Sequence, residues 1–518
     1  MGMKLGRSWI VLGAVGGLLM LPGAATVPLP SLRVVVTSPE DTIAPDAAMT
    51  LREAIELVNG TLLVESLSPM EQAFVSRRVR VPLEEWYAGR ARPRIEFQLA
   101  AEQTTIRLRS LLPPLVQPGT VIDGATQPGY RADAEGIPSP IVRLEPVGEL
   151  FRGLTIAASG VTIRGLSLAG FNAQHDRTEG MPPADIFIAQ AVSEQRPRDI
   201  VRDIVIEQNW LGVAPVAGRR SAFGVSVFNS AGTTIRRNWI ANHDGSGILT
   251  AVQALNLQIT ANRIERNGLA GMPDAIRLEG QLANVRIEQN QIEQNAGSAV
   301  YIFKPDQGVT RSTQGLAQGV TIAHNRIAQN GQRYRRAAIY LMGHDHRVIE
   351  NQITDQVGAG VVVAAYPPSW RNQILGNQFD RIRGLCIDLV SQQHVGPQDY
   401  QQGDGLNPLL HTRGERLKTG NLGLDAPRFL SSEFFVSPID GSVEVAGLAQ
   451  PAAIVELYRL SGTGNLHQSI ARIPTTANGR FTYQLGTLQA GDRLSATVTQ
   501  PQSGTSEPAR TVLIRGLP

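Results

Sequence analysis

The sequence predicts an all-β solenoid, a parallel β-helix, with a helical cap at its N-terminal end and a small β-sandwich at its C-terminal end. Three observations lead there. A short apolar strand, an asparagine and a second apolar pair recur, with the asparagines at Asn209, Asn238, Asn262, Asn290, Asn325, Asn351 and Asn377, spaced 29, 24, 28, 35, 26 and 26 residues apart. Each unit also holds a small residue, an aliphatic, a variable residue and another aliphatic, as in Ala275-Ile276-Arg277-Leu278 and Ala338-Ile339-Tyr340-Leu341. No copy sustains the i, i+3, i+4 spacing of a helix, and strand-built repeats of this length stack into solenoids.

The elements follow in order. Residues 1–25 read as a secretory signal: Lys4 and Arg7 precede the apolar stretch Trp9 to Leu21, and Gly23-Ala24-Ala25 offers small residues for cleavage. Residues 26–95 form the N-terminal cap, because a solenoid end exposes apolar interior and unpaired edges. Leu51 to Val58 is its compact helical pattern, ending at Asn59-Gly60, and residues 61–94 add an arginine-rich helical insert. Residues 96–390 are the β-helix, and polar residues 391–425 a capping loop or linker. From 426 to 518 alternating strands return, with a hairpin signal at Asn478-Gly479, which suggests an immunoglobulin-like sandwich.

Composition narrows the function classes. A net charge of +3, dispersed along the chain, is too small for a nucleic-acid binder. No segment after the signal approaches the roughly 20 apolar residues of a transmembrane helix. The single cysteine, Cys386, stands at the small-residue position of a repeat and has no internal disulfide partner.

Stacking at about 4.8 Å per coil makes residues one repeat apart vertical neighbours. The recurring asparagine then has a structural role: it tolerates a left-handed bend, and its amide bonds the equivalent amide one coil away. The variable position of the small-aliphatic-x-aliphatic strand points outward, giving a strip of Arg277, Tyr301 and Tyr340 with Glu279, Phe303 and Met342 beside it. Tyrosine faces and guanidinium forks suit sugar rings and acidic substituents, unless the insert 307–319 or the C-terminal domain covers them.

Thr50-Leu51-Arg52-Glu53-Ala54-Ile55, Ile122-Asp123-Gly124-Ala125-Thr126-Gln127-Pro128-Gly129-Tyr130, and Ile387-Asp388-Leu389 followed by Gly403-Asp404-Gly405 carry a resemblance. They resemble exported bacterial right-handed parallel β-helix proteins of the pectin-lyase-like superfamily, in particular those opening with a Cys-Ser/Thr-Leu-Arg-Glu-Ala motif. Met49 stands where that motif has its cysteine, and the insert 61–94 is longer than the resemblance implies. The resemblance implies an extracytoplasmic protein associated with carbohydrate, extracellular, periplasmic or on the cell surface.

Polysaccharide lyases need a base, usually with calcium, and hydrolases need paired carboxylates. The catalytic candidates are His243 and Asp244, in Asn242-His243-Asp244-Gly245-Ser246-Gly247, and His344, in His344-Asp345-His346; both stretches are also what turns of the repeat demand. Asp404, with Asp399 nearby, is the candidate calcium site. The expectation is an exported protein that binds polysaccharide and, as an enzyme, would cleave it. The alternative is a non-catalytic adhesin or envelope scaffold.

Overall fold

The computed structural model describes residues 31–78, 92–132, 136–172, 182–189, 200–213, 218–303, 319–391 and 401–516. The expected signal segment, the middle of the 61–94 insert and Asp399 lie outside these residues. Within them the chain winds through three parallel sheets of twelve, ten and eleven strands, called sheets 1, 2 and 3 in the order each coil visits them. Together the three sheets form a right-handed parallel β-helix.

Period-two alternation builds the interior. On sheet 1, Ile206, Ile235, Ile259, Ile287, Ile322 and Val348 stand in successive register. On sheet 2 the inward column runs Leu211, Ile240, Ile264, Ile292, Ile327, Ile353 and Phe379. Sheet 3 contributes Val225, Ile248, Ile276, Val300, Ile339, Val361 and Ile387. These side chains are buried, forming one continuous apolar axis.

The corners correct one detail of the sequence reading. The left-handed residue is the one before each asparagine: Gln208, Arg237, Ala261, Gln289, His324 and Glu350 have φ between 52° and 58°. The asparagine itself turns inward. Asn238 donates from both its backbone N–H and Nδ2 to Asn262 Oδ1, at 2.9 and 3.0 Å, and the same double bond links Asn209 through Asn377. Each left-handed non-glycine residue costs about 1–2 kcal/mol, which these buried bonds offset.

At the N-terminal end Leu51–Asn59 is a helix, with Thr50 and Glu53 forming a reciprocal cap and left-handed Gly60 closing it. In its described residues, 61–78 and 92–94, the insert holds little helix. It holds a 3-10 turn at Val64–Ser66, one helical turn at Pro69–Gln72 and a strand, Val75–Arg78, antiparallel to Ser31–Val36. Ser31–Val36 itself pairs parallel with Arg94–Phe97, so sheet 1 begins well before residue 96.

At the other end two mainly antiparallel sheets of three and six strands enclose their own core of Val445, Leu457, Phe481, Leu494 and Val498. This unit caps the last coil with side chains. Glu507 accepts from Leu389 N–H, Thr505 from Ile374, Asn465 from Ile382 and Glu456 from Gly376. Backbone N–H groups that lack a further coil are thereby satisfied. Among the described residues no helix is long and apolar enough to cross a membrane.

Candidate binding face

His243 lies in the interior. Its backbone N–H and ring Nδ1 both reach Asn267 Oδ1, at 3.3 and 2.7 Å, and Nε2 lies 2.9 Å from Asp185 Oδ2. A second amide ladder continues from there through Asn267, Asn295 and Asn330, one corner on from the first. His243 therefore occupies the rung that asparagine holds in later coils. Asn267 Oδ1 can only accept, so Nδ1 carries the proton and Nε2 faces Asp185, whose pKa burial pushes up despite the histidine hydrogen bond. Both side chains are fully buried, which removes His243 from the catalytic candidates.

Asp244, next in sequence, points the other way, to Asn172 Nδ2 at 2.9 Å and Arg220 at 3.6 Å. His344 stacks on Trp370, with ring centres 4.1 Å apart. It belongs to the corner after Ile339–Leu341, a different corner and more than three coils further on, at least about 14 Å along the axis at roughly 4.8 Å per coil. Its neighbour His346 accepts the Val320 N–H at Nδ1 and contacts Met342 O through Nε2, which makes the ring neutral. The three candidate catalytic residues do not converge.

The Arg277 strip is one vertical column, but it is not open. Tyr301 and Tyr340 stack at 5.4 Å with planes 9° apart, yet they are 4 % and 2 % exposed and packed with Ala337, Val362, Val390, Phe303 and Met342. Arg277 lies over Tyr301 and closes onto Asp274 and Glu279. The outward face of sheet 3 is a second apolar core, and its aromatic rings are spent on protein. This corrects the assignment of Arg277, Glu279, Tyr301, Phe303 and Tyr340 as an open ligand strip.

Further along that outward row stands Asp388. Gly405 and Asp404 donate their N–H groups to it, at 3.0 and 3.3 Å, and a side chain on left-handed Gly403 would place Cβ 2.4 Å from its Oδ2. Burial, with Asp404 alongside, pushes its pKa up to about 8. Burial likewise raises Glu507 to about 7, against the N–H groups of Asn407 and Leu389. Asp404 accepts from Ser391 N–H, and among the described residues no group of three or more histidines, cysteines or carboxylates is arranged to hold a metal ion. A crevice of about 950 Å³ adjoins Glu507 and is walled largely by Leu389, Leu406, Leu409, Leu424 and Phe429. The Glu507 carboxyl that reaches it is already engaged in capping the last strand.

Like the face of sheet 1, the outward face of sheet 2 is open. Its outward column runs Trp210, Trp239, Arg263, Gln291, Arg326, Gln352 and Gln378 in unbroken register. Seven rungs span about 29 Å at roughly 4.8 Å per coil. Beside it run Ala241, Glu265, Glu293, Ala328, Thr354 and Asp380. The adjoining corner adds left-handed Asn242, Arg266, Gln294, Gln329, Asp355 and Arg381. A groove of about 530 Å³ lies there between Gln294, Gln329, Gln332, Asp355, Arg381 and Arg383, and continues into a hollow of about 300 Å³ beside Arg326, Gln352 and Thr354.

At the N-terminal end of the column Trp210 and Trp239 meet edge to face at 4.9 Å, and Arg263 lies 4.6 Å over the Trp239 ring. Gln291, Gln352 and Gln378 make no side-chain hydrogen bond to another described residue; each amide can donate two and accept two. The sequence signal for this face was the residue between the asparagine and the next apolar residue in each copy, as in Asn290-Gln291-Ile292 and Asn351-Gln352-Ile353.

A family model described as right-handed beta helix region matches residues 194–312. No curated protein matches the sequence. Among solved structures, the Streptococcus pneumoniae surface protein and adhesin PfbA is 12% identical, covering 64% of this chain and 98% of its own, with a TM-score of 0.36. The Dettilon tailspike protein is 11% identical, covering 77% and 86%, with a TM-score of 0.38. The Azotobacter vinelandii mannuronan C-5 epimerase AlgE6 A-module is 14% identical, covering 56% and 86%, with a TM-score of 0.29.

Proposed function

We propose that this right-handed parallel β-helix protein holds an extended glycan along the open face of sheet 2, outside the cytoplasm. The observation that carries the reading is the unbroken seven-residue column, with two tryptophans at one end and, beyond them, the unspent amides of Gln291, Gln352 and Gln378 interspersed with ion-paired Arg263 and Arg326. A linear polymer is the natural complement of a scaffold that presents an outward side chain at the same place on every coil. Indole rings stack on sugar faces, and planar amides pair with hydroxyls. The apolar stretch Trp9 to Leu21 behind Lys4 and Arg7 supports the extracytoplasmic placement.

Binding is favoured over cleavage on this face. Glycoside hydrolysis needs an acid and a base or nucleophile left available. Here Glu265, Glu293, Asp355 and Asp380 are each closed onto an arginine. The test is retention on a panel of immobilised polysaccharides by the wild type and by Gln352→Ala with Gln378→Ala. Losing two amides is expected to weaken retention about ten-fold. Arg286→Ala, on the exposed face of sheet 1, leaves retention unchanged. Equal retention by the glutamine variant would overturn the assignment.

A further inference from the structure

We infer that the glycan held on sheet 2 is uncharged. This rests on the binding face proposed above and adds the chemical class of its ligand. The inference comes from how the face spends its charges. Over the three outward columns stand four arginines and four carboxylates, so the surface has no net charge.

The pairing is local. Glu265 takes both Arg263 and Arg266, at 2.8 and 2.7 Å, and accepts the Trp239 indole N–H at 3.1 Å. Glu293 takes Arg326 at 3.1 Å. Asp355 takes Arg381 at 2.8 Å, and Asp380 contacts the same guanidinium. Among the described residues that line the groove, Arg383 is the one further cation, and it lies outside the columns.

An acidic polymer laid on this face would meet a carboxylate at most coils and would have to open an ion pair to gain each arginine. Like charges brought together at an interface oppose binding, and an arginine already closed on a carboxylate has no fork left for a second one. A neutral, hydroxyl-rich chain meets no such opposition. It finds the amides of Gln291, Gln352 and Gln378 open and the Trp210–Trp239 pair half-exposed.

The experiment is affinity electrophoresis of residues 26–518 in gels containing mannan, dextran or xyloglucan, and in parallel gels containing polygalacturonate, alginate or dextran sulfate. The Gln352→Ala with Gln378→Ala variant runs beside the wild type. The expected result is retardation by at least one neutral polymer, with affinity changing less than about two-fold between about 50 mM and 500 mM NaCl, and weaker retardation by the acidic ones. The variant should be retarded with an affinity about ten-fold weaker. Acidic polymers bound as tightly as neutral ones, or neutral binding that salt abolishes, overturns the inference; if the variant removes that binding, the face itself stands. Retardation that the variant leaves intact, or none by any polymer, overturns the binding face and the inference with it.

Discussion

At the scale of single residues, the fold is held by buried amides whose loss is felt on both sides. Asn290 receives two bonds from Asn262, donates two to Asn325 and satisfies the Ile259 carbonyl. Asn290→Ala removes the side-chain partners of several buried groups at once. It is expected to destabilise by about 3 kcal/mol in urea unfolding followed by circular dichroism. His243 is a rung of the same kind, with Asp185 as a further partner. His243→Ala should therefore cost about 2–3 kcal/mol and His243→Asn about half of that, with glycan retention unchanged in both. The first ladder was legible because its asparagines follow a constant strand pattern. The second, through Asn267, Asn295 and Asn330, repeats that pattern five residues on, as Ile264 to Asn267 follows Ile259 to Asn262. The turn-like Asn-His-Asp-Gly string hid His243's place in it: a titratable ring in a polar string reads as exposed chemistry until three-dimensional neighbours show it packed.

At the scale of elements, the strands fix which side chains leave the interior but not which outward faces stay in water. Alternation alone put Tyr301 and Tyr340 outside the coil, and they are outside it, beneath a second layer of packing. Gln352 and Gln378 obey the same alternation and are exposed. What distinguishes them is long-range packing, which a two-residue period does not encode. The C-terminal cap adds a titration of its own. Asp388 and Glu507 have pKa values raised by burial, to about 8 and about 7, so each is more easily protonated folded than unfolded. Their contribution to stability is full below the ordinary carboxyl range and is lost as pH rises through 7 and 8. Stability measured by urea unfolding is expected to fall by about 3 kcal/mol between about pH 6 and pH 8.5. Asp388→Asn with Glu507→Gln should flatten that dependence, and a wild-type profile already flat over this range would contradict it.

At the scale of the whole molecule, a stack of near-identical coils turns a short pattern into a surface about 29 Å long, at roughly 4.8 Å per rung. On the proposed reading, length is the property by which a glycan on sheet 2 would be recognised. A polymer crossing several rungs gains one modest contact per coil, and the sum decides the affinity. The most direct measurement is isothermal titration of oligosaccharides of increasing length, cut from whichever polysaccharide the protein retains. Affinity is expected to rise with each added sugar and to level off once the chain spans the column from Trp210 to Gln378. An affinity already complete with a mono- or disaccharide, or one that keeps its length dependence when Gln352 and Gln378 are both alanine, would contradict a glycan lying along this face.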